Sequence, residues 1–152
     1  MSKLIRWETP FSDSLFPSVV TLVNCDSQRE FMYPVEAIVS PRGLEQYPKY
    51  RVQFGQVVAF SAMEEMHFPD IYFNNVEFEN KKGCAYQFID SPWLESYRKG
   101  EYFLFNKDGG TAEALSHYVI FGGDDVFQVI TKNEAVITEI SEPMTLRIEF
   151  SI

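Results

Sequence analysis

His117-Tyr118-Val119-Ile120-Phe121-Gly122-Gly123-Asp124-Asp125-Val126-Phe127-Gln128-Val129-Ile130-Thr131 is the stretch that decides the fold of this chain. Two runs rich in β-branched and aromatic residues, His117 to Phe121 and Val126 to Thr131, flank Gly122-Gly123-Asp124-Asp125, in which every residue is a turn former. That pattern is a β-hairpin. Downstream, Lys132-Asn133-Glu134 turns the chain into a further strand over Ala135 to Ile140. After Pro143, Met144, Leu146, Ile148, Phe150 and Ile152 alternate with Thr145, Arg147, Glu149 and Ser151. A strict period of two marks a strand with one buried face.

Upstream, the same logic continues more weakly. Residues 1–16 read as an irregular lead-in with a short strand around Leu4 to Trp7, and Val19 to Val23 is a compact β-branched strand. Phe31 to Val39 contains Pro34, which cannot donate to a ladder and so belongs at an edge or at a strand start. In Tyr50-Arg51-Val52-Gln53-Phe54, Tyr50, Val52 and Phe54 share one face. Gly55-Gln56 then leads into a strand over Val57 to Met63. A type II′ hairpin and a glycine bulge in one bent strand both satisfy that junction. Ile71 to Phe78 alternates poorly, Asn80 to Gly83 is a turn, and Ala85 to Ile89 returns as a strand.

The clearest helix is short. Ser91 is suited to the N-cap, Pro92 to the first helical position, Glu95 to the positive end of the dipole and Gly100 to the stop. Trp93 and Tyr97 lie four apart and share a face. A second short helix fits Thr111 to Leu115. These elements predict one α+β domain over residues 1–152, predominantly antiparallel β-sheet with one or two short helices.

Composition narrows the function. Acidic residues outnumber basic ones 22 to 13, giving a net charge of −9. That balance opposes nucleic-acid binding, which needs Lys and Arg at phosphates, and opposes docking on anionic membranes. It is compatible with a basic protein partner, although acidity also serves solubility alone. The first ten residues lack the apolar core of an export signal, and no run reaches the length of a membrane span. Cys25 and Cys84 are the only cysteines and read as reduced thiols. A cytoplasmic protein is the expectation.

Catalytic signatures are absent: no phosphate-binding glycine loop, nucleophile elbow or paired-histidine helix motif occurs. No catalytic residue and no cofactor is therefore assigned. Glu64, His67 and Asp70 are the residues from which a metal site would be built, but a solvated acidic loop between strands accounts for them better. His117 beside Tyr118 offers an acid or base near neutrality; a structural histidine whose ring nitrogens find backbone partners is the simpler reading. Trp93 and Tyr97 serve either as a partner anchor or as the pin that holds the helix on the sheet. Trp7 carries the same alternative. Tyr72, Phe73, Phe78, Tyr86 and Phe88 supply enough rings for a pocket between sheet and helix, though core packing uses the same residues.

Three clusters, taken together, resemble a known group. They are Tyr50-x-Val-x-Phe54 with Val57, Ala59, Phe60 and Glu64; the Ser91-Pro92-Trp93-Leu94 helix start; and His117-Tyr118-x-Ile120 with Asp125, Val126 and Gln128-Val129-Ile130. Over residues 50–131 the chain resembles small acidic uncharacterised bacterial proteins, some of them similar to immunity proteins of polymorphic-toxin or contact-dependent inhibition systems. The resemblance implies a bacterial cytoplasmic protein of α+β type and carries no catalytic residues. Two functions follow as expectations. The first is a non-catalytic interaction module covering a basic partner. The second is a small-molecule-binding protein, or an enzyme of unrecognised type, built on an aromatic pocket. An exposed edge strand would also permit a homodimer.

Overall fold

The computed structural model describes residues 2–23, 33–64, 76–78, 83–99 and 115–143. In chain order the described elements are β1 (Lys3–Arg6), β2 (Ser18–Val23), β3 (Val35–Ser40), β4 (Lys49–Phe54), β5 (Val57–Glu64), β6 (Glu77–Phe78), β7 (Ala85–Ile89), α1 (Pro92–Lys99), β8 (Ser116–Phe121), β9 (Asp125–Thr131) and β10 (Val136–Ile140). They form a six-stranded sheet in the order β5-β9-β8-β7-β1-β6 and a four-stranded sheet in the order β10-β4-β3-β2. Every pairing is antiparallel except that of β1 with β6. The chain is thus mostly antiparallel sheet, with one short helix among the described residues.

The deciding hairpin forms in the register its turn dictates, with Phe121 opposite Val126 and Ser116 opposite Thr131. Alternation then sorts its side chains. Tyr118, Ile120, Phe127 and Val129 face the second sheet, where Val35, Ala37, Val39, Val52 and Phe54 meet them. Rings dominate this layer: Phe54 lies 5.6 Å from Phe127 and 6.3 Å from Tyr118, centroid to centroid. Trp7 packs into the same layer, 4.6 Å from Tyr118, and so belongs to the core. Tyr118, the sequence neighbour of His117, also faces this core.

The Gly55-Gln56 junction is not a hairpin. β4 and β5 belong to different sheets, so the chain bends there from one layer to the other, and the left-handed residue is Gln56 at φ 47°. A break in register between Val57 and Ala59 follows directly. Pro34 precedes a strand start, as its missing N–H requires, but β3 is an interior strand of its sheet. The proposed strand over Met144 to Ile152 lies outside the described residues, as do Thr111 to Ala114 of the second proposed helix; Leu115 is not helical.

Pro10 to Pro17 carries the chain from one sheet to the other. Phe11 is buried, and the buried Ser12 hydroxyl donates to the Trp7 carbonyl at 2.5 Å. Cys84 locks on from the opposite side, its N–H donating to Ser12 O at 3.0 Å and its Sγ–H to Phe11 O at 3.3 Å. No described helix is long and apolar enough to cross a membrane.

Candidate functional site

On the outer face of the six-stranded sheet, alternation brings a second set of residues together. Ser61 and Met63 come from β5, Phe88 from β7, His117 from β8 and Gln128 from β9. Ser91, Pro92 and Trp93, at the start of α1, close over them. These eight residues line a pocket of about 260 Å³.

Helix capping puts the serine there. Ser91 Oγ accepts the Leu94 N–H at 3.0 Å, and its carbonyl accepts the Glu95 N–H at 2.9 Å, so the N-cap expected from Ser91-Pro92 forms. The helix then lies with Leu94 buried against Leu115 and Ile130, and with Trp93 and Tyr97 half-buried, their rings 6.4 Å apart. Trp93 both pins the helix and walls the pocket.

His117 is the centre of the site. Its Nδ1 lies 2.6 Å from Ser91 Oγ and its Nε2 lies 2.8 Å from Gln128 Oε1. Phe88 stacks on the ring at 5.2 Å, and Trp93 meets it edge-on at 5.3 Å. The ring is 2% exposed. Burial drives its pKa from the ordinary 6.5 down to about 4, against the smaller upward effect of the bond to Gln128. His117 is therefore a neutral imidazole at physiological pH. The expectation that its nitrogens would find backbone partners is corrected: both find side chains, from two different elements.

The other sequence candidates separate. Phe78 and Tyr86 pack together at 5.9 Å in a second apolar cluster on this face, alongside Leu4 and Val119. Tyr72 and Phe73 lie outside the described residues. So do His67 and Asp70 of the metal candidate, of which only Glu64 is placed, at the end of β5. No group of three His, Cys, Asp or Glu able to hold a metal occurs among the described residues. Cys84 is completely buried between the sheets, and desolvation raises its thiol pKa to about 12. It is a packing residue. Cys25 is outside the described residues.

Sequence reasoning missed Gln128 and Ser61 as site residues and saw Ser91 only as a cap. Gln128 carried a readable signal: a lone amide in the otherwise apolar Val126-Phe127-Gln128-Val129-Ile130, where a buried polar group demands a partner. Nothing in the spacing of Ser91, His117 and Gln128 announced that they meet.

No family model, curated protein or solved structure matches this chain. The chemistry of the site itself is the basis for a functional reading.

Proposed function

We propose that the protein binds a small, largely apolar molecule in the pocket between α1 and the six-stranded sheet, without transforming it. The carrying observation is a 260 Å³ pocket whose aromatic walls, Phe88 and Trp93, enclose the neutral, fully bonded His117. An apolar cavity of about 150 Å³ admits benzene, so this one has room for a fused two-ring compound.

Ser91, His117 and Gln128 superficially suggest a nucleophile, a base and an orienting group. The geometry favours binding instead. Ser91 is completely buried, and its oxygen is already engaged by the Leu94 N–H. A ring whose pKa has fallen to about 4 is a poor base at neutral pH.

Naphthalene titrated into the labelled protein should shift the indole N–H resonance of Trp93 and leave that of Trp7, in the other layer, unmoved. Ser61→Phe, on an edge strand and half-exposed, should fill the pocket and weaken binding at least tenfold. Absence of any Trp93 response up to the solubility limit would sink the reading.

A separate surface favours a second reading, a basic protein partner of the kind an immunity protein covers. At one end of the sandwich Leu15, Phe16 and Leu44 are 62%, 77% and 55% exposed. Ser14 Oγ donates to Pro41 O at 3.2 Å, and Gly123 N donates to Pro17 O at 2.9 Å, so these loops are held together. Asp124 stands beside them, Asp13 is paired with Arg6 at 2.7 Å, and Arg42 and Lys49 adjoin Leu44, so it is the exposed apolar centre in a chain of net charge −9 that suits a basic partner. Mixed with a basic toxin domain encoded by the adjacent gene, the protein should co-elute with it on size exclusion, and Phe16→Asp should separate the two. Independent elution of the unmodified pair would end this second reading.

A further inference from the structure

Hydrogen counting at the floor of the pocket specifies the ligand further, and it rests on the small-molecule reading above. Ser91 has one hydroxyl hydrogen. Its oxygen accepts the Leu94 N–H, and with Gln128 Oε1, which can only accept, 2.8 Å from His117 Nε2, the ring hydrogen belongs on Nε2 and the serine hydrogen goes to Nδ1, 2.6 Å away. With Oε1 engaged there, the nitrogen end of the amide is left over.

Gln128 is only 8% exposed and lines the pocket. Its Nε2 has no acceptor among the described residues. The nitrogen is not sealed off, since Arg51 Nε is the one fully buried side-chain nitrogen or oxygen without a partner among the described residues, so Gln128 Nε2 is open to the pocket and a ligand acceptor can reach it. Ser61 stands directly opposite Gln128 in the β5–β9 register and adds a hydroxyl to the same wall. None of the described lining residues is Asp, Glu, Lys or Arg. An ion entering here would lose its hydration and gain no counter-charge.

From the unpaired Gln128 amide, the facing Ser61 hydroxyl and the uncharged aromatic walls, we infer that the pocket selects an uncharged planar ring compound bearing a carbonyl, an aromatic amide or lactam. The ligand carbonyl accepts from Gln128 Nε2, a neighbouring ligand N–H reaches Ser61 Oγ, and the ring lies against Trp93 and Phe88.

Three probes built on the same fused two-ring frame test this by calorimetry and ligand-observed NMR: 2-quinolinone, naphthalene and 2-naphthoate. The lactam should bind about tenfold more tightly than naphthalene, the worth of one net hydrogen bond, and the carboxylate should bind weakest. Gln128→Met, close in shape but without donors, should bring 2-quinolinone down to the level of naphthalene. The comparison within the unmodified protein stands even if that variant fails to fold. Equal binding of lactam and hydrocarbon, or preference for the carboxylate, overturns the inference and leaves the binding reading intact. No binding by any of the three removes both.

Discussion

Gly83→Ala is expected to lower the unfolding free energy by about 4 kcal/mol, from left-handed backbone strain and a close steric clash together. Gly83 holds φ at +111°, a conformation open to glycine and costly for a residue with a side chain. A Cβ built there would lie 2.2 Å from the Ser12 carbonyl oxygen. That oxygen cannot simply retreat, because it accepts the Cys84 N–H, and Ser12 is itself held through its hydroxyl to Trp7 O. Gly43 provides the control. Its φ is +117°, yet nothing lies within 4 Å of its missing Cβ. Gly43→Ala should therefore show only the backbone part, about 1–2 kcal/mol. Urea unfolding of both variants separates the contributions, and equal losses would show that the Pro10 to Pro17 crossover yields freely. The position matters to the site because Gly83 leads into β7, which carries Phe88 and delivers the chain to Ser91.

The elements with strong local chemistry were legible in the sequence. The hairpin around Gly122 to Asp125, the strand Ala85 to Ile89 and the cap at Ser91 each follow from side-chain alternation or from a hydrogen-bonding side chain next to the backbone group it satisfies. What local pattern could not encode was the partition into two sheets. Val57 to Met63 looks like a partner for Tyr50 to Phe54, yet β5 pairs with β9, more than sixty residues away in the chain. Tyr118 and His117 are neighbours in sequence and lie on opposite faces of β8, one in the inter-sheet core and one in the pocket. The parity of a strand is readable, but which face meets which layer depends on contacts distant in sequence. The site has the same origin. Ser91 is fixed by its helix, His117 and Gln128 by one hairpin, and only the packing of α1 on the sheet brings the serine to the ring.

Between pH 7 and pH 4 the protein should lose about 3 kcal/mol of stability through His117 alone. In the unfolded chain the imidazole takes up a proton as pH falls through its ordinary 6.5; in the folded chain it resists until about 4. Within that window the unfolded state binds more protons, so folding weakens with every step down. The contribution is fully present above 6.5 and fully lost below about 4. The hydrogen-bond arrangement supplies the local reason. A proton added at Nδ1 faces Ser91 Oγ, which would then have to accept both it and the Leu94 N–H, leaving the hydroxyl hydrogen to find another acceptor. Carboxylates titrate in the same range, so the measurement is a difference. Urea unfolding of the unmodified protein and of His117→Gln, which can bridge Ser91 and Gln128 without titrating, should diverge in slope. The native protein should lose about 3 kcal/mol more between the two pH values. Parallel pH profiles would show that the ring is not held neutral by its burial, and the hydrogen count that frees the Gln128 amide for a ligand would fall with it.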